Sequence, residues 1–289
     1  MNLRTTSIGM AFAALFLLNA SPAKAGDLVM GLIPAENNEE MIKHFEPMRA
    51  YLEMKVGQKI KVFTATDYTG VIEAMRKKRV DVAFFGPLSY YLAEQEAGAE
   101  AFAVGVLKSG KSTYRSIIVV PGDSPAKTLQ DLKGKSAAFV DPASTSGGLM
   151  PTYMIKKATG MMPEQFFGKF TYAGSHDATE LAVKNHTVDA AADNNITYDA
   201  MLAKGLITQQ SNRILAESPD MPGSPLAYRK DLPADLKNRI RDAIVNAHKE
   251  IYVTGYGNLI RYDAAGPADY QMVRDLVKEL GLRKEQMLR

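Results

Sequence analysis

The segment running from Ser136 to Thr159 constrains the fold more than any other. A short apolar run, Ser136-Ala-Ala-Phe-Val140, passes through Asp141-Pro-Ala-Ser-Thr-Ser-Gly-Gly-Leu149 into a stretch with helical spacing. It reads as a strand, a hydroxyl-rich turn and a helix over about residues 147–159. A chain built from such units lays helices on a sheet. The turn also carries chemistry. Ser144, Thr145 and Ser146 are N-cap residue types, and Gly147 and Gly148 are expected to leave backbone N–H groups uncovered. A helix start has four unpartnered N–H donors and about half a positive charge, so three hydroxyls there form a neutral cradle for a tetrahedral oxyanion. A helix that is merely well capped needs only one of them, and on the residues alone that reading stays open.

The same rhythm recurs along the chain. Strands are expected over residues 27–33, 59–65 and 80–85, with a helix over 39–56 and another after the turn 66–70. Gly86-Pro87 precedes a helix over 88–97. Two strands, 101–108 and 113–120, then flank a hairpin-like turn, Ser109-Gly-Lys-Ser112. A short helix over 128–135 leads to Ser136, and beyond the cradle come strand 170–172, helix 176–185, strand 188–192, helix 196–203 and strand 213–217. The remainder, Leu226-Ala-Tyr-Arg229 and helices over 234–249 and 268–280, shows no new sheet-forming run and should pack on the first lobe. The expected architecture is α/β in two lobes, 26–115 plus 217–289 and 116–216. Segments near 116–120 and 213–218 cross between them, and the crevice is where open α/β sheets bind ligands.

Residues 1–25 read as a secretory signal: Arg4, an apolar run over 8–18, then Ala23-Lys-Ala25 as a small-x-small cleavage site. No other stretch reaches the roughly 18 apolar residues of a membrane span, so an exported, soluble protein is expected. With no cysteine in the chain, the core has to hold without disulfides. The net charge of +3 falls to +1 once Arg4 and Lys24 are set aside. Basic and acidic residues are interspersed, which argues against a nucleic-acid partner.

Several short motifs, in order and spacing across nearly the whole mature chain, resemble the phosphonate- and phosphite-binding proteins of ABC transporters, the PhnD type of type II periplasmic binding protein. They are Asp67-Tyr68 before a helix ending Glu-Ala-Met-Arg76, Val80-Asp-Val-Ala-Phe-Phe-Gly-Pro-Leu-Ser89, Thr113-Tyr-Arg-Ser116, Leu132-Lys-Gly-Lys135, Asp141 to Gly147, and Ala173-Gly-Ser-His-Asp177. The Phe-Gly-Pro-Leu-Ser-Tyr and Thr-Tyr-Arg-Ser forms are most similar to the phosphite-type branch. The resemblance implies a type II fold and an inner-membrane ABC permease as partner. It also implies that Ser144, Thr145 and Ser146 grip the oxyanion while Tyr68, Tyr114 and His176 close the site. Tyrosine and histidine donors suit that role, and a protonated His176 would add a charge-assisted bond. Without the resemblance, a strand-start tyrosine is more simply half-buried packing, and a histidine beside Asp177 a satisfied surface residue.

Family members that bind 2-aminoethylphosphonate hold its ammonium with carboxylates in two later segments. Here the matching stretches are Asn194-Asn-Ile-Thr-Tyr198 and Pro222-Gly-Ser-Pro225; Asp193 and Asp199 lie nearby, but Ser224 is uncharged. The expected ligand is therefore a phosphorus oxyanion without an amine, such as phosphite, methylphosphonate or phosphate, bound by a monomer without cofactor or catalysis. Two other classes are weighed. A hydrolase would use Ser144 or Ser146 with His176 and Asp177, but Gly-x-Ser-x-Gly is absent. A sensor would present helix faces over 39–49 and 152–157 to a membrane receptor. The four histidines (His44, His176, His186 and His248) are scattered, so no metal site is expected.

Overall fold

The computed structural model describes residues 26–288; the signal assigned to residues 1–25 lies outside them. Strand β1 (Leu28–Leu32) is largely buried because parallel neighbours flank it, β2 (Ile60–Thr64) and β3 (Val82–Phe84). Buried parallel strands read as near-continuous apolar runs, as this one does. Helices α1 (Asn38–Val56) and α2 (Tyr68–Arg76) make the crossovers. Along α1 the buried residues Met41, Phe45, Met48, Leu52 and Val56 fall every three or four positions, while Asn37 caps its start by accepting from Glu40 N–H. Helix α3 (Pro87–Ala97) follows β3 directly, with Pro87 at its first position.

The first sheet is completed by β4 (Ala99–Leu107) and by strands from the far end of the chain. A second sheet holds β6 (Ser116–Pro121), β7 (Ser136–Phe139), β8 (Lys169–Tyr172), β9 (Ala190–Asn194) and β10 (Asn212–Glu217), in the order β10-β6-β9-β7-β8. Its helices are α4 (Met150–Thr159), the short α5 (Pro163–Phe166), α6 (His176–Lys184) and α7 (Asn195–Ala203). Alternate residues of β6 serve different cores: Ile118 and Val120 join Phe139, Ile155 and Phe166, whereas Ile117 and Val119 join Val183 and Met201.

Between the sheets, β5 (Thr113–Tyr114) pairs antiparallel with β11 (Met221–Pro222). Here the hairpin expectation fails. Ser109 to Ser112 does close a local turn, with Leu107 N–H donating to Lys111 O at 2.8 Å. Yet β4 pairs with later strands, and the expected strand over 113–120 divides at Arg115 between the crossing ribbon and the second sheet. The expectation of no sheet-forming run in the last third is likewise corrected. Strand β12 (Pro225–Arg229) lies inside the first sheet between β3 and β4, and β13 (Leu259–Ala264) forms its edge, giving the order β13-β4-β12-β3-β1-β2. Helices α8 (Ala234–Asn246) and α9 (Gln271–Leu280) pack against this first lobe, and among the described residues no helix is long and apolar enough to cross a membrane.

Candidate functional site

The turn after β7 enters the helical region at Thr145, earlier than the spacing predicts, and its first turn is of π type: Leu149 N–H donates to Ser144 O at 2.9 Å. A π-turn closes one residue later than an α-turn and so leaves one more N–H outside the helical ladder. Ser144 is the N-cap and accepts from Gly147 N–H at 3.1 Å. The N–H of Gly147 is therefore engaged, contrary to the open donor expected there. The glycines serve close approach instead: a Cβ at Gly147 would lie 2.2 Å from Val140 Cγ2, and one at Gly148 2.4 Å from Asp141 O.

Ser144, Thr145 and Ser146 line a chamber together with Tyr68, Tyr114, His176, Gly86, Asn194, Ser224 and Tyr256. All six residues singled out from the sequence thus meet around one space, and all six are buried. Several helix starts converge on it: Tyr68 opens α2, Gly86 caps α3, Ser144 caps the π-turn, His176 opens α6 and Asn194 caps α7. Their dipoles put positive potential in the chamber, where among the described residues no lysine or arginine contributes a wall. Burial raises the hydroxyl pKa of Tyr68, and that of Tyr114 to about 12, so both stay protonated donors; Tyr68 interacts with Ser144, and Tyr114 with Ser146, Thr145 and Ser224.

His176 is a neutral imidazole, so the charge-assisted bond that a protonated ring would add does not arise. Its Nδ1 lies 2.6 Å from Asp193 Oδ1 and 3.0 Å from Asn194 Nδ2, deep in the second lobe. Burial holds its pKa down and pushes Asp193 up to about 8. At neutral pH the Asp193 proton bridges to Nδ1, which assigns the ring's own hydrogen to Nε2, where it remains a neutral donor. Behind them, burial and then the neighbouring Asp193 raise Glu180 well above the usual carboxylate range. Glu180 Oε1 and Asp193 Oδ2 have no other partner, and a proton on Glu180 satisfies both. Tyr256 and Glu180 were missed from sequence, and Asp193 and Asn194 entered only as neighbours of a ligand ammonium, not as partners of His176. Asp193 sits 17 positions from His176 with nothing local to pair them. The Gly86-Pro87 break did mark a second helix start facing the cradle.

The lobes are closed on each other. Leu88 N–H, at the start of α3, donates to Thr145 Oγ1 at 2.8 Å, and Tyr68 N–H points to Asp141 Oδ2 at 3.4 Å. His176 N–H donates to Ala35 O at 2.9 Å. Asp177 accepts from Asn37 Nδ2 at 3.1 Å and from Ser175 Oγ at 2.5 Å. It therefore faces away from His176, and among the described residues no serine hydroxyl bonds that ring, which removes the triad geometry. At the rim Glu36, Glu40 and His44 cluster within 4.8 Å of one another, a grouping the scattered histidines did not suggest. Lys204, from the other lobe, meets their charge at 2.6 Å from Glu40 Oε2.

Two α/β lobes joined by a short crossing ribbon, with a polar chamber shut between them, define a solute-binding protein of the type II periplasmic class. Residues 30–270 match the family described as ABC transporter, phosphonate, periplasmic substrate-binding protein, and the chain belongs to that family. It is 34% identical over 250 residues to the phosphonates-binding periplasmic protein of Escherichia coli, covering 83% of this chain and 73% of that one. The phosphate-import protein PhnD of Mycolicibacterium smegmatis is 30% identical over 239 residues, covering 77% and 74%. The structure of a binding-protein component of an ABC phosphonate transporter from Pseudomonas aeruginosa superposes with a TM-score of 0.81 at 27% identity, covering 91% of this chain and 87% of that one.

Proposed function

We propose that this protein captures a small phosphorus oxyanion in the periplasm, after export directed by residues 1–25, and delivers it without chemical change to an ABC permease. The observation that carries the reading is the chamber itself. Three consecutive hydroxyls at a helix start face two buried tyrosines, with further helix starts around them and, among the described residues, no cationic side chain in the lining. Fixed neutral donors hold an anion well in a site closed to water, because no reorganisation is needed on binding. Each charge-assisted hydrogen bond contributes about 1.5–3 kcal/mol, so a handful exceeds the roughly 8 kcal/mol of a micromolar complex.

In this reading Ser144, Thr145 and Ser146 bind first and Tyr68 arrives as the lobes, 26–115 plus 217–289 and 116–216, turn about β5 and β11. Tyr114 and the Nε2–H of His176 complete the shell. Relatives named for phosphonate and for phosphate bracket the ligand class. Calorimetry on the mature chain with phosphite, phosphate, methylphosphonate and 2-aminoethylphosphonate, with sulfate as control, tests it. Micromolar or tighter binding of at least one phosphorus anion, lost in a Ser144/Thr145/Ser146 triple alanine variant, is expected. Undiminished binding by that variant refutes the assignment.

A further inference from the structure

The rim cluster of Glu36, Glu40 and His44 takes no part in lining the chamber. Its residues recur every fourth position: Glu36 lies just before the N-cap of α1, and Glu40 and His44 fall in the first two turns, so the three side chains share one edge of the helix. Nε2 of His44 lies 3.1 Å from Glu36 Oε2 and 3.8 Å from Glu40 Oε2, and one ligand atom from each residue falls within 4.8 Å of the other two. Donor atoms held at about 2.0–2.2 Å around a tetrahedral metal ion stand about 3.3–3.6 Å apart, a spacing that the two measured edges bracket. Glu36 adds an independent sign. Its side chain is only 9% exposed, and among the described residues its carboxylate has no hydrogen-bond partner outside the cluster. A carboxylate has about four lone-pair sites, and one met site leaves a buried charge poorly compensated for its lost hydration.

We propose that Glu36, Glu40 and His44 bind a divalent transition-metal cation of the zinc type, in competition with Lys204 of the second lobe. One imidazole and two carboxylates make a three-ligand set of the kind that leaves zinc a fourth position for water. The mixed nitrogen and oxygen donors disfavour calcium and magnesium, which take all-oxygen shells. Glu40 and His44 stand at i, i+4 on one helix, the spacing by which helical zinc motifs present two ligands together. Lys204 Nζ sits 2.6 Å from Glu40 Oε2, the same oxygen that is nearest His44. Its ammonium is thus the closed protein's own cation at that carboxylate, and a metal ion there has to displace it. Lys43, 75% exposed and 3.6 Å from Glu40 Oε1, reaches the other oxygen and leaves the site open. Because the Lys204–Glu40 pair crosses the cleft, a metal ion at the rim opposes closure. The site stands on these residues whatever the chamber holds.

Calorimetry with zinc chloride on the untagged mature chain, stripped with chelator and kept in phosphate-free buffer, decides the matter. One zinc per chain is expected. His44→Ala and Glu36→Gln should each weaken it by about tenfold or more, since even an outer-shell partner of a metal site commonly contributes that much. Glu40→Gln, read the same way, serves if Glu36→Gln does not fold. Lys204→Ala removes the competing ammonium and should tighten zinc by about two- to fivefold, the range of an exposed ion pair. Cobalt(II) in place of zinc should show the visible absorption of a four-coordinate site, lost in His44→Ala. Absence of zinc binding overturns the proposal. So does zinc binding undiminished in folded His44→Ala and Glu36→Gln proteins, which would place the ion on the exposed His186 or His248. Calcium bound more tightly than zinc overturns the choice of metal, and zinc affinity unchanged in Lys204→Ala overturns the competition.

Discussion

Thr145 offers the sharpest test, because the proposed function gives one hydroxyl two tasks at the junction of the lobes. It accepts from Leu88 N–H at 2.8 Å, and in the proposed complex its own hydrogen turns to the ligand. Thr145→Val preserves the shape and removes both functions. In the closed form the Leu88 donor is left buried without a partner, which costs about 1–3 kcal/mol, and the anion loses a charge-assisted bond of about 1.5–3 kcal/mol. The sum, about 2.5–6 kcal/mol, corresponds to a Kd raised by about 10²- to 10⁴-fold. In the open form Leu88 N–H meets water, so the penalty falls on the closed complex and appears as faster dissociation. Stopped-flow binding and calorimetry with phosphite should show association rates little changed and most of the loss in koff. Thr145→Ser, which keeps the hydroxyl, should stay near wild type. A folded Thr145→Val protein with Kd within about threefold of wild type, the spread of an inconsequential substitution, would refute both the latch and the cradle.

Other outcomes follow from the same geometry. Asp193 has its pKa raised to about 8 by burial, so its bridging proton is present below that pH and lost above it. Affinity for an already fully ionised oxyanion should therefore weaken as pH rises past 8, approaching about tenfold per unit. Asp193→Asn, which has no proton to lose, should flatten the profile, and a wild-type profile flat to pH 9.5 would rule out the shared proton. Gly147→Ala drives a Cβ into Val140 and should cost about 1–3 kcal/mol in a denaturant melt; an unchanged midpoint counts against the close-approach argument. The Lys204 and Glu40 side chains are 43% and 27% exposed, so Lys204→Ala should change affinity by no more than about fivefold. A loss beyond about 20-fold would mean that the rim contact governs closure.

What could be read without coordinates was what local chemistry dictates. Asp67 before Tyr68, Pro87 after Gly86 and the serines after β7 announce helix starts, and the alternation of runs announces an α/β sheet. What could not be read depends on pairing across distance. Strands expected to form a hairpin around Ser109 to Ser112 part company, because the same turn residues suit a hairpin or a chain leaving for another sheet. Leu259-Ile-Arg-Tyr-Asp-Ala264 hides as a strand, since its half-exposed edge position lets Arg261 and Asp263 pair outward and dilutes the apolar pattern. The π-turn at Thr145 has the composition of an α-turn. His176 lines the chamber with the other five residues, but its protonation state could not be read, because Asp193 and Glu180 reach it only through the fold.

The crossing ribbon has one more implication. Ser116 Oγ donates to the carbonyl of Ser146 at 2.6 Å, and Ser116 N–H donates to Ser218 Oγ at 3.0 Å, tying both crossings to the cradle. Were the lobes to swing about that seam, the anion would sit almost on the pivot, where the lever arm is shortest. A swing would then displace the cradle less than the rim, where Lys204 meets Glu40. Such a molecule could admit or release solute like a purse opened at its clasp, with the contents resting against the fold.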